Sequence, residues 1–199
     1  MGRHYNMKIG LTGPTSTGKT TTMNIVAKDL NLDIHQITTR DIFDKYNITS
    51  QIETINTAHQ FPEKYYNLYK DLIKGRHDLF INKSDLITDR LPIDSLIYYK
   101  LQHLQFEQNA EAVISEFNKL CLDTCKSFDM IFVFPPVRSL CVADGVRHVN
   151  FEFNKLYYQV LLDAISEFQL YNVAFIPEDL VDINSRVKFI KQVLENASL

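Results

Sequence analysis

Cysteine is scarce in this chain, three among 199 residues, too few for a disulfide framework and in keeping with a reducing compartment. Cys121 and Cys125 stand four apart in a helical pattern. No second Cys or His pair has zinc-like spacing, so they read as two small buried side chains on one helix face. Nothing marks Cys141 as a nucleophile. No apolar run approaches the length of a membrane span, and residues 1–6 lack the apolar core of a signal peptide. A soluble, intracellular, cytoplasmic protein with no membrane partner is expected, with residues 1–6 as a disordered extension. Charged residues make up 23% and the net charge is -3, so no strongly basic surface announces a nucleic-acid polymer. A local basic groove stays open, and so does a homodimer. Internal repeats, low-complexity tracts and Gly/Ser linkers are absent. The length suits a single α/β domain over 1–199 with a sizeable core, and is too short for two ordinary ones.

What is present begins just inside the N-terminus. Gly13-Pro14-Thr15-Ser16-Thr17-Gly18-Lys19-Thr20 has the form G-x-x-x-x-G-K-[ST], a complete phosphate-binding loop. Lys8 to Thr12 reads as the short buried strand before it, and Thr21 to Leu30 as the helix after it. Gly13 and Gly18 let the backbone wrap with its N–H groups inward, an anion nest that the helix N-terminus reinforces. Lys19 is placed to bridge the β- and γ-phosphates and the Thr20 hydroxyl to coordinate Mg²⁺, with Thr15, Ser16, Thr17 and Thr21 completing the lining. The implied cofactors are ATP and Mg²⁺.

Apolar periodicity predicts alternating strands and helices along the rest of the chain. Strands are expected at 33–38, 84–90, 130–134 and 172–176. Helices are expected at about 63–74, 93–106, 109–126, 151–168 and 183–195. Pro135-Pro136 cannot continue a ladder and ends the clearest strand. Strands separated by helices argue for a parallel sheet covered on both faces, whose ligands bind beyond the strands' carboxyl ends.

The strand ends therefore carry the choice of chemistry. Leu86-Ile87-Thr88 leads to Asp89-Arg90, followed by Ser95 and the aromatic-bearing stretch to Tyr99. This arrangement resembles the thymidylate kinase and deoxynucleoside kinase group. There the acidic residue helps position Mg²⁺ or the acceptor, and the Arg holds substrate phosphate or developing charge. Phe134-Pro135-Pro136, with Asp144-Gly145-Val146-Arg147 and a helix beyond, is similar to the ATPase-like kinase family that includes the nicotinamide-riboside kinase domain. The resemblance implies a three-layer, doubly wound P-loop fold with a five-stranded parallel sheet and a lid at about 137–150. The full substrate-base signature of thymidylate kinases is missing, which leaves the acceptor open.

Phosphoryl transfer needs positioning and charge neutralisation more than covalent chemistry. Lys19, Asp89, Arg90 and the lid arginines Arg138 and Arg147 supply this, Asp89 by orienting the acceptor hydroxyl or holding the metal through water. A helix N-cap is the structural alternative for Asp89, and solvated loop charge for the two lid arginines. Arg40 and Asp41 fall where such folds contact the acceptor, with a surface ion pair or a cap as the alternative. His59, Gln60, Phe61, Tyr98, Tyr99 and Gln102 offer stacking surface and hydrogen-bonding groups for a base. Phe61 and Tyr99 also suit a core, and His59 is an unconvincing general base. Pro177 to Leu180 takes the adenine-side position of the families resembled.

The leading expectation is a kinase acting on a nucleoside, a nucleoside monophosphate or a related ribosyl compound. Its rivals are an NTP hydrolase or GTPase-like switch, a nucleotide-binding module without turnover, and a kinase acting on a modified base or a polynucleotide end. The switch is weakened because no Asn/Thr-Lys-x-Asp guanine signature is present.

Overall fold

The computed structural model describes residues 7–49, 53–54, 57, 60–103, 110–140 and 150–197. Expectations placed on residues 1–6, His59, Cys141 and Arg147 lie outside these residues.

β1 (Lys8–Thr12) is the centre of a parallel sheet. It pairs on one side with β2 (Leu86–Thr88), in the register Ile9 to Ile87, and on the other with β3 (Met130–Val133), in the register Leu11 to Phe132. β4 (Val173–Phe175) adds to β3, giving the order β2-β1-β3-β4. The alternation of apolar side chains across the strands decides what each face buries. Ile9, Leu11, Ile87, Phe132 and Phe134 pack with α1 (Lys19–Leu30) and α7 (Ile183–Ala197). Leu86, Ile131 and Val133 pack on the opposite face with α3 (Pro62–Ile81), α4 (Pro92–His103), α5 (Ala110–Lys126) and α6 (Phe151–Glu167). Each fully buried Leu, Ile or Phe contributes about 1.5–3 kcal/mol.

The described sheet has four strands where five were expected. The segment 33–38 reaches β2 only through an isolated parallel bridge between Ile34 and Ile87, with Ile87 N–H on Asp33 O at 2.8 Å and His35 N–H on Ile87 O at 3.2 Å. It goes no further because Thr38 opens a helix at once. The Thr38 hydroxyl accepts from Asp41 N–H, and the Asp41 carboxylate accepts from Thr38 N–H, a closed capping box that starts α2 (Thr39–Lys45). This short helix has no counterpart among the sequence expectations. α3 runs seven residues beyond its expected end at Lys74, continuing through Gly75 because Arg76 and Phe80 beyond it are buried.

Cys121 and Cys125 are fully buried among the α5 contacts, as their spacing suggested. Burial pushes both thiols up. No helix among the described residues is long and apolar enough to cross a membrane.

Candidate functional site

The chain leaving β1 turns through two left-handed glycines. Gly13 has φ 133°, and a Cβ there would lie 2.4 Å from the Phe134 carbonyl oxygen. Only glycine fits between β1 and the end of β3. Gly18, φ 83°, is the N-cap of α1, and its carbonyl accepts the first helical bond from Thr22 N–H at 3.0 Å. Lys19, the first residue of α1, is nearly buried. Its ammonium donates to Gly13 O at 2.9 Å, Pro14 O at 2.5 Å and Thr17 Oγ1 at 3.1 Å. The cation is thereby held at the loop that the sequence assigns to phosphate, at the positive end of α1.

Two buried side chains from distant elements brace the same loop. Asn154, on α6, accepts from the Thr15 hydroxyl at 3.3 Å and donates through Nδ2 to Thr15 O at 3.0 Å. Arg186, on α7, donates to Thr17 O and, through Nε, to Leu180 O at 2.5 Å. It ties the segment after β4 to the loop and lies over the Phe134 ring. Burial lowers the Arg186 pKa against the opposing pull of Asp182.

Asp89, at the carboxyl end of β2, reaches the start of α1. Its Oδ2 accepts from the Thr20 hydroxyl, and its Oδ1 accepts from Gln36 Nε2 at 2.6 Å. Arg90 turns the other way, donating to Gly13 O at 3.2 Å and to Asp94 Oδ1 at 3.3 Å. Asp94, 1% exposed, is the buried hub of this corner. Oδ1 also accepts from the Tyr157 hydroxyl at 2.6 Å and the Thr12 hydroxyl at 3.1 Å, and Oδ2 from Leu91 N–H at 2.8 Å. Burial opposes the charge on Arg90, but Asp94, with Tyr98, Tyr157 and Asp89, outweighs it and raises its pKa. Arg76 crosses behind, donating to Ser95 Oγ at 2.6 Å and to Ile37 O at 3.0 Å, and burial lowers its pKa to about 10.

The structure thus brings together Gly13, Thr15, Thr17, Gly18, Lys19, Thr20, Asp89 and Arg90. Ser16, in a left-handed conformation at φ 55°, and the exposed Thr21 belong to the same loop and helix start. The acceptor candidates are dispersed. Tyr99 is fully buried, in ring contact with Tyr65, Tyr69 and Phe117. Gln102 accepts the hydroxyls of Tyr65 and Tyr69, each at 3.0 Å. Tyr98, half-buried, packs between Phe153 and Tyr157. Phe61 is 58% exposed, and Asp41 closes the α2 cap. Arg40 lies in α2. Arg138, largely exposed, sits in a short 3-10 turn (Arg138–Leu140), 3.6 Å from Glu152 and over the Phe151 ring.

Sequence reasoning overlooked Asp94, Gln36, Asn154, Tyr157 and Arg186. An acidic residue in the first turn of a helix after Asp89-Arg90 was the available signal for Asp94. The others belong to remote elements and carried none. Thr20 and Asp89 offer hard oxygen donors of the kind Mg²⁺ takes. No group of three His, Cys, Asp or Glu among the described residues suits a metal ion. A magnesium ion would therefore need phosphate and water to complete its shell, as is usual for this metal, and the donor set fits it.

A phosphate-binding loop joined to a parallel α/β sheet, with Asp-Arg at the neighbouring strand end, defines a P-loop α/β fold. The sequence matches the AAA domain family over residues 8–182, and the chain belongs to that family. Solved structures extend the likeness. NadR in complex with NAD and AMP-PNP is 20% identical with a TM-score of 0.70, over 99% of this chain and 51% of that one. The chain spans about half the length of NadR. Deoxyadenosine kinase from M. mycoides is 16% identical with a TM-score of 0.62, covering 96% of this chain and 99% of that one. Thymidylate kinase from Candida albicans is 13% identical with a TM-score of 0.60, covering 96% and 92%. No curated protein sequence matches the chain.

Proposed function

We propose that this protein is an ATP- and Mg²⁺-dependent phosphotransferase that moves the γ-phosphate to a nucleoside, a nucleoside monophosphate or a related ribosyl acceptor. The observation that carries this reading is the meeting of Asp89 with Thr20 while Arg90 reaches the Gly13 carbonyl. A carboxylate and a guanidinium thereby lie on either side of the loop expected to hold the triphosphate. Proteins of similar fold support it, among them deoxyadenosine kinase described with nucleotide products and NadR described with NAD and AMP-PNP.

In this reading the loop N–H groups and Lys19 hold the β- and γ-phosphates, and Lys19 moves from the loop carbonyls to phosphate oxygens. Thr20 and Asp89 would hold magnesium, which would supply charge neutralisation at the phosphates. Arg90, fixed by Asp94, neutralises charge at the acceptor side. Arg138 and Arg147, in the segment assigned as a lid, meet the transferring phosphoryl group, where arginines can contribute ~10³ to 10⁵ in turnover. Residues 177–180 lie on the adenine side. Arg40, Asp41, Phe61 and Tyr98 are the acceptor-side candidates in this reading, while the buried Tyr99 and the Gln102 amide that holds Tyr65 and Tyr69 act through the core.

The test is ADP release from Mg·ATP with and without nucleosides, nucleoside monophosphates, nicotinamide riboside and hydroxymethylated DNA. Stimulation by one of the small acceptors, with a phosphorylated product, is expected. Robust release that every acceptor leaves unchanged would instead make the protein a hydrolase. Stimulation by the DNA alone would move the acceptor to a polynucleotide.

A further inference from the structure

Asp89 has two oxygens and the site gives them different partners. Oδ2 faces the Thr20 hydroxyl, while Oδ1 is taken by Gln36 Nε2 at 2.6 Å. The other contact of that amide nitrogen is Met23 Sδ at 3.4 Å, and Met23 is buried on α1. Gln36 is itself half-buried. Its backbone is held one residue away by the His35 N–H to Ile87 O bond, beside the strand that ends in Asp89. Both ends of the glutamine are therefore anchored, one through β2 and one through α1.

We propose that Gln36 is a positioning residue that commits Asp89, through Oδ2 alone, to the Thr20 and magnesium side of the site. A carboxylate free at both oxygens can rotate, chelate through both or turn toward an acceptor hydroxyl. With Oδ1 accepting from the anchored amide of Gln36, the carboxylate is held against rotation, and Oδ2 faces the residue assigned to the metal. The role of Asp89 is then to hold the metal, and not to take the acceptor's proton. This inference rests on the Mg·ATP binding assigned above.

The test compares the unaltered protein with Gln36→Leu, which removes the donor at similar size, and Gln36→Asn, which keeps the amide but shortens its reach. Affinity for ATP is measured by calorimetry in EDTA and in excess Mg²⁺. The spectrum of Mn²⁺·AMP-PNP bound to each protein is recorded by electron paramagnetic resonance. Both variants should bind ATP in EDTA within about twofold of the unaltered protein, yet lose about tenfold of the gain that Mg²⁺ provides, in line with one hydrogen bond to a charged group. The Mn²⁺ line shape should change in both. An unchanged magnesium gain would overturn the proposal, as would an equal loss of binding in EDTA or failure of both variants to fold, since either places Gln36 in the scaffold. Phosphate transfer does not enter these readouts. A protein that binds Mg·ATP through Gln36 and never transfers phosphate would sink the phosphotransferase reading alone.

Discussion

Around the loop from Gly13 to Thr20, support converges from four distant places: Asn154 on α6, Arg186 on α7, Asp94 on α4 and Phe134 after β3. On the acceptor side the candidate residues part company, Tyr99 entering the core and Phe61 facing solvent. In the proposed reading the phosphate side is braced because a triphosphate would offer the same oxygens and charge in every such protein, so backbone N–H groups and one ammonium would suffice. An acceptor differs from one enzyme to the next, and its contacts come from side chains on loops and helix ends that a rigid sheet only positions.

The largest effect should come from the phosphate side. Lys19→Ala is expected to lower transfer by ~10² to 10³ or more, the scale of losing one electrostatic stabiliser, in a protein that still folds and melts cooperatively. A fall in activity matched by loss of the fold would make Lys19 structural.

Asp94 joins the two sides, and its removal should be felt in stability as well as turnover. Asp94→Ala leaves Arg90 and the Tyr157 hydroxyl without their shared acceptor. Urea unfolding should show a loss of about 3 kcal/mol, the lower end for a broken buried pair because Arg90 is partly exposed. A loss within error of zero would show that the corner relaxes without it.

Asn154→Leu tests how far the bracing of the loop matters. Thr15 loses the partner of both its hydroxyl and its carbonyl. Destabilisation of about 1–3 kcal/mol is expected in the same unfolding experiment, with ATP bound severalfold more weakly by calorimetry.

Arg138→Ala should do the opposite. The side chain is exposed and its pair with Glu152 is at the surface, so stability should stay within ~0.5 kcal/mol. Turnover should fall more than ATP affinity, since its assigned charge meets the transition state. Equal loss of ATP affinity would place Arg138 on the ground-state phosphates.

The smallest effect concerns the core behind the acceptor side. Burial raises the pKa of Cys121 and Cys125, so neither should alkylate in the folded protein at about pH 8.5, where an ordinary cysteine is half ionised. Peptide mapping after iodoacetamide treatment checks this. Labelling at the rate of a free thiol would show that α5 opens.

The phosphate loop was legible in the sequence because its chemistry is carried by eight consecutive residues, and β1, β3 and the helices from α4 to α7 because their apolar periodicity is strong. The segment 33–38 carries a weaker signal. Its two apolar residues, Ile34 and Ile37, stand three apart and so do not alternate, Ile34 is 44% exposed, and the Thr38 capping box withdraws the chain after one bridge. A cap at Asp41 is readable in the sequence as the alternative to an acceptor contact, and the structure takes the cap. The braces Asn154 and Arg186 were not readable at all. Each lies more than a hundred residues from the loop it holds, and a lone Asn or Arg on an amphipathic helix gives no sign of what it will meet.

The central claim is that the phosphate gripped at Gly13 to Thr20 goes to a small nucleoside-like acceptor. Following the γ-phosphate of labelled ATP tests it most directly, with the products separated in the presence of each acceptor in turn. The label should appear covalently bound to one small acceptor, and its transfer should be abolished by Lys19→Ala. Label recovered as inorganic phosphate at the same rate with every acceptor and with none would contradict the claim.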